Sequence, residues 1–164
     1  VLSVVTGASY CPRTGAAGWA ALCYGQRTSG RIPAVLTSSN QAELWAVVLG
    51  LQWVVSLGIP VALEEVVLHS ESMWALQMIR SELRTPITNH SSGSRWQEPG
   101  TRDPSPTEKE ALAILRSAGG MILSVGHRRG GWALQQCHSL SRQEMRRQRE
   151  YIRMRGLLPD DNGV

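Results

Sequence analysis

Carboxylates, 13 Asp and Glu residues in all, are among the groups in this chain that could do chemistry, and their placement is uneven. No Asp or Glu occurs before Glu43, and the next acids sit at Glu64, Glu65 and Glu71. Paired carboxylates are what a hard divalent cation such as Mg²⁺ requires, so any such site must draw on Glu43 and the acids that follow it. The three cysteines, Cys11, Cys23 and Cys137, are odd in number and form no CxxC pair, which argues against a disulfide framework and against structural zinc. A reducing, intracellular setting is the expectation. Cys137 adjoins His138, but neighbours on a helix point in different directions, so Cys137 reads as a core residue.

Other chemistries fail on spacing. The string VVTGAS at 4–9 has the start of a dinucleotide-binding turn, yet the later glycines of that motif fall on Cys11 and Arg13. No G-x-S-x-G elbow and no G-x-x-x-x-G-K loop is present. The basic residues are more informative. Lys109 is the single lysine among 17 Lys and Arg residues, and Arg142, Arg146, Arg147, Arg149, Arg153 and Arg155 crowd one C-terminal stretch. That density would attract phosphate or an acidic partner surface, or form a solvated helix face.

The elements that must position these groups follow from periodicity. VLSVVT at 1–6 and WAALCY at 19–24 are short apolar runs separated by a turn-rich segment, which predicts a hairpin. A turn over 25–30 and a third strand over 31–37 come next, with Pro33 marking an irregular edge. Ser38 and Ser39 offer caps for a helix whose apolar positions recur at helical spacing until Gly58 and Pro60. A strand over 61–69 and a helix over 70–83 follow. Residues 84–106 are rich in Pro, Ser, Gly and Thr without periodicity, predicting a long loop that contains Trp96. Thr107 and Glu110 suggest a capping box for a short helix, MILSV a last strand, and the glycines at 130 and 131 the start of a basic helix.

These elements predict one α/β domain over 1–155 with a C-terminal tail at 156–164. Its sheet has five strands, three antiparallel then two parallel, because a strand–helix–strand segment demands a parallel crossover. Helices cover both faces. The chain of 164 residues is long enough for one substantial core. No apolar run reaches the roughly 18 to 20 residues of a membrane helix. A strand beginning at once from Val1 suggests a segment of a longer polypeptide. Of the tryptophans, Trp19, Trp45 and Trp53 fall where core packing is favoured over base stacking.

The same order of elements, with short motifs in matching places, resembles the ribonuclease H domain of cellular enzymes and retroelement polyproteins, where it accompanies reverse transcriptase. VTGASYCPRTGAAGWAALCYG resembles the family's opening T-D-G-S, Gly-rich turn and G-x-A. SSNQAELWAVVLGLQWV is similar to its N-x-x-E-L helix start, VVLHSESMWALQMI to its T-D-S-x-x-V segment, and VGHRRGGWALQQCHSLSRQ to its G-H loop and N-x-x-C-D-x-L-A helix.

That resemblance implies endonucleolytic hydrolysis of RNA in an RNA–DNA hybrid by paired Mg²⁺ or Mn²⁺ ions. The family's metal-binding acids, carried over position by position, fall on Gly7, Glu43, Glu71 and His138. Gly7 cannot ligate. Glu71 is one methylene longer than the family's Asp, a displacement that can cost roughly 10²-fold in rate, and His138 suits transition metals better than Mg²⁺. The resemblance also implies nucleic-acid contacts for Ser9, Asn40 and Gln41, with Asn40 alternatively a helix cap. His127 takes the place of a loop histidine near the metals, and Arg128 and Arg129 beside it could touch phosphate. Three functions are expected in contest. One is a catalytically impaired, pseudoenzyme-like domain that binds nucleic acid within a larger assembly or a decayed retroelement polyprotein. The second is an active hybrid ribonuclease using Glu43 and Glu71, and the third a protein-interaction module using the Arg-rich C-terminal helix.

Overall fold

The computed structural model describes residues 2–58, 65–83, 88–89, 105–116, 122–127 and 130–156. Strands β1 (Leu2–Tyr10), β2 (Ala17–Cys23) and β3 (Gln26–Arg31) lead to helix α1 (Ser39–Ser56). Then come β4 (Glu65–Ser70), α2 (Met73–Leu83), β5 (Thr88–Asn89), α3 (Pro106–Arg116), β6 (Ile122–His127) and α4 (Trp132–Met154). The strands form one mixed sheet in the order β3-β2-β1-β4-β6-β5. β1–β2 and β2–β3 pair antiparallel, whereas β1–β4, β4–β6 and β5–β6 pair parallel.

Both faces of the central strands are covered. Along β1, Val4 joins a large cluster with Leu44, Leu51 and Leu68, while its neighbour Val5 joins a smaller one with Ala20, Leu22, Leu134 and Cys137. Alternation in a strand sends successive side chains to opposite faces, so β1 meets α1 on one side and α4 on the other. α1 is sandwiched between the sheet and the helices α2 and α3. This is why it is apolar almost all round, with Ala42, Leu44, Trp45, Val47, Val48, Leu51 and Val54 all buried.

Three expectations need correction. The third strand is β3 at Gln26–Arg31, not 31–37, because the turn before it is only Tyr24–Gly25, with φ 51° and 74°. Positive φ at both central residues makes a two-residue hairpin turn whose twist matches the strands, and Cys23 pairs directly with Gln26. Pro33 therefore lies past the strand. The sheet has six strands instead of five, since Thr88–Asn89 adds a short edge beside β6 within the segment read as a loop. A two-residue pairing is too short to carry any periodicity. The capping box is Ser105–Glu108, not Thr107–Glu110: Glu108 N–H donates to Ser105 Oγ at 3.3 Å, and Ser105 N–H donates back to the Glu108 carboxylate. Both frames fit the pattern, but Pro106 belongs at the first helical position, where its missing N–H costs nothing.

Residues 61–64 of the expected fourth strand, most of 84–106 including Trp96, and all but the first residue of the tail at 156–164 lie outside the described residues. Among the described residues no helix is long and apolar enough to cross a membrane.

Candidate active site

The parallel pairing of β1 with β4 sets the site. Val5 pairs with His69, so Gly7 and Glu71 stand at equivalent positions two residues further on, just past the carboxyl end of the β1–β4 pairing. Crevices at such strand ends are where open α/β sheets bind ligands. α1 brings Glu43 to the same place: its carboxylate accepts from Ser70 Oγ at 3.5 Å and from the Ala8 backbone N–H. α4 brings His138, whose Nε2 is 3.4 Å from Glu71 Oε2. Gly7, Glu43, Glu71 and His138 thus converge from β1, α1, the end of β4 and α4.

The electrostatics of this cluster disfavour a second negative charge. Burial first, and then the Glu71 carboxylate, push the Glu43 carboxyl up to about 8, with the Ser70 hydroxyl and the Ala8 N–H pulling the other way. Beside it, burial and then Glu43 push the Cys137 thiol up to about 12. Cys137 donates through Sγ to the Val5 carbonyl at 3.5 Å and is fully buried. A thiol so placed is inert packing.

Gly7 is more than a missing ligand. A Cβ built there would lie 2.7 Å from Cys137 Cβ and 3.4 Å from His138 Cδ2. The space into which an acid would project is already filled by α4. Gly18 on β2 makes a second close approach, its Cβ position overlapping the Ser141 carbonyl and the Met145 backbone nitrogen. α4 therefore rests on β1 and β2 at two glycines.

The donor set does not fit a pair of hard divalent cations. Gly7 offers no ligand, so the converging side chains supply the carboxyl groups of Glu43 and Glu71 and the imidazole of His138, short of the oxygen ligands that two such ions need. Among the described residues no group of three or more His, Cys, Asp or Glu is arranged to hold a metal ion.

The residues expected to meet nucleic acid are divided. Ser9 faces α4, its hydroxyl 2.9 Å from Ser141 Oγ and 3.5 Å from the His138 carbonyl. Gln41 is buried; its Oε1 accepts from the Thr37 N–H and hydroxyl at 2.9 and 3.1 Å, and its Nε2 donates to Ser105 Oγ at 3.4 Å. It ties the start of α1 to the start of α3. Asn40 is exposed and accepts from Ser72 Oγ at 3.1 Å. It is not the cap, which is Ser38 accepting from the Gln41 N–H at 3.2 Å. His127 ends β6, with its side chain outside the described residues, as are Arg128 and Arg129. Ser70, Ser72 and Ser141 link the converging elements without any sequence signal of it, since Ser70 and Ser72 before α2 read only as caps and Ser141 is one polar residue within α4. Ser72 is indeed a cap, accepting from the Ala75 N–H at 3.1 Å.

The sequence matches no protein-family model and no curated protein. Its fold does match solved structures. LC11-RNase H1, isolated from compost by metagenomics and solved in complex with an RNA/DNA hybrid, aligns with a TM-score of 0.64 at 15% identity, over 90% of this chain and 98% of that one. RNase H1 of the halophilic archaeon Halobacterium salinarum aligns with 0.59 at 14% identity, over 89% and 98%. The N-terminal RNase H domain of a Mycobacterium tuberculosis protein gives 0.59 at 15%, over 92% and 99%. The chain therefore folds as a ribonuclease H-like domain.

Proposed function

We propose that this domain associates with nucleic acid, an RNA–DNA hybrid or RNA, while its hydrolytic centre is closed. The observation that carries the reading is the packing of Cys137 into the space above Gly7: a ligand is absent and its room is gone. The association with hybrid rests on the fold shared with LC11-RNase H1, which was solved with one bound. Asn40, exposed at the start of α1, with Arg128 and Arg129, would make the contacts. Ser9 and Gln41 serve the fold instead, their polar atoms being occupied within it.

A second reading is an active Mg²⁺- or Mn²⁺-dependent hybrid ribonuclease with atypical ligands, and the convergence of Glu43, Glu71 and His138 favours it. Incubating a labelled hybrid with either ion separates the two. The first reading expects binding at low salt that weakens as salt rises, with the RNA strand left intact. Cleavage that disappears in Glu43→Gln would establish the second, and failure to bind hybrid or RNA at low salt would overturn both.

A further inference from the structure

The last turns of α4 and the connection from β3 to α1 enclose two adjoining hollows. The larger, about 510 Å³, is lined by Pro33, Ala34, Val35 and Ile152 together with Arg31, Gln148 and Tyr151. The second, about 370 Å³, shares Arg31 and Tyr151 and continues past Arg147 to Met154. Together they form one groove.

Tyr151 is its hub. The Arg31 guanidinium lies 5.2 Å and that of Arg155 5.5 Å from the centre of the ring, and Arg155 Nε donates to the phenol oxygen at 3.1 Å. Both cations are thereby held in place on an aromatic surface. Around them, Met154 is 84% exposed, Val35 54% and Tyr151 40%. Among the described residues Glu150 is the one carboxylate lining the hollows, and it is bridged to Arg153 at 3.1 Å. The groove therefore combines positive charge with a lining that is largely apolar.

Phosphate would answer the charge but not the apolar part of the lining, which nucleic-acid backbone does not bury. Exposed Tyr, Met and Arg in one hollow match the composition of protein–protein interface centres. The groove is also remote from the converging acids. From His138 to Tyr151 α4 advances about 20 Å and turns by about 140°, so an occupant here leaves the Glu43 and Asn40 end open.

We propose that this groove docks an acidic segment of a partner protein, with one apolar side chain entering the larger hollow and flanking carboxylates engaging Arg31 and Arg155. The inference goes beyond the nucleic-acid reading and does not depend on it.

Fluorescence anisotropy with the whole chain tests the proposal. The probes are a labelled peptide of alternating Leu and Glu, the same peptide with Gln for Glu, and a labelled RNA–DNA hybrid. The Leu–Glu peptide is expected to bind at low salt, about tenfold or more tighter than its Gln counterpart. Arg31→Gln with Arg155→Gln should weaken that binding at least about tenfold, and Met154→Ser a few-fold, while hybrid affinity changes less than about threefold. All three substituted side chains are exposed, so folding should survive, and an unchanged circular dichroism melt checks this. The proposal is overturned if the wild type does not bind the Leu–Glu peptide, or binds both peptides alike. It is also overturned if the double variant lowers hybrid binding as much as peptide binding, which would assign the groove to nucleic acid.

Discussion

A methyl group added at Gly7 would stand 2.7 Å from Cys137 Cβ, closer than packed carbons come. Gly7→Ala should therefore cost about 1–3 kcal/mol in urea denaturation, as overpacking does. Gly7→Asp should cost more, because it adds a larger and charged group to a filled space beside the converging acids, and it should leave the RNA of a hybrid uncleaved in Mg²⁺. A Gly7→Asp protein as stable as wild type and active would refute the closed centre. Glu43 makes a prediction in pH. Its carboxyl titrates at about 8 in the folded chain against 4.5 for an unperturbed Glu. Between those values the folded state binds the extra proton, so stability falls as pH rises, by up to about 1.4 kcal/mol per unit, and levels off above. Glu43→Gln should remove that slope. Melting curves from pH 4 to pH 9 would show it, and an equal slope in the variant would discount Glu43 as the cause.

Helix ends and turns are where local patterns left more than one solution. Ser105 and Thr107 each begin a plausible capping box, and the hydrogen bonds choose Ser105. Ser105→Ala should cost about 1 kcal/mol and Thr107→Ala little, a difference that chemical denaturation resolves; the reverse order would restore the other frame. The helices themselves were legible because Leu44, Val48 and Leu51, or Leu134 and Cys137, repeat at helical spacing. β3 was misjudged because QRTSGR has no apolar alternation to announce a strand: it pairs with β2 on one side only and its residues are not buried. β5 was not legible at all, since its two residues pair only because β6 is beside them.

At the scale of the whole molecule, the central strands β1, β2 and β4 are covered by α1 on one face, by α4 on the other over β1 and β2, or by strand neighbours. Amide hydrogen exchange should be slowest in β1 and β4 and faster in β3 and β5 at the sheet edges; uniform exchange across the sheet would contradict this layering. Truncating a side chain in the larger core should be severe. Leu51→Ala, at a fully buried position of α1, is expected to cost about 2–5 kcal/mol, read from the midpoint of thermal unfolding.

Periodicity and the order of short motifs were enough to read the α/β character and the central helices, because each depends on residues near one another in the chain; Gly7, Glu43, Glu71 and His138 were singled out by the family resemblance alone. What those positions can do is a matter of distance between elements. That Cys137 fills the space over Gly7, that Glu71 is taken up by His138, and that Gln41 and Ser9 spend their polar atoms inside the fold depend on how closely α4 and α1 approach the sheet. Close approach is set by packing between residues more than a hundred positions apart, such as Ser9 and Ser141, and no local spacing encodes it.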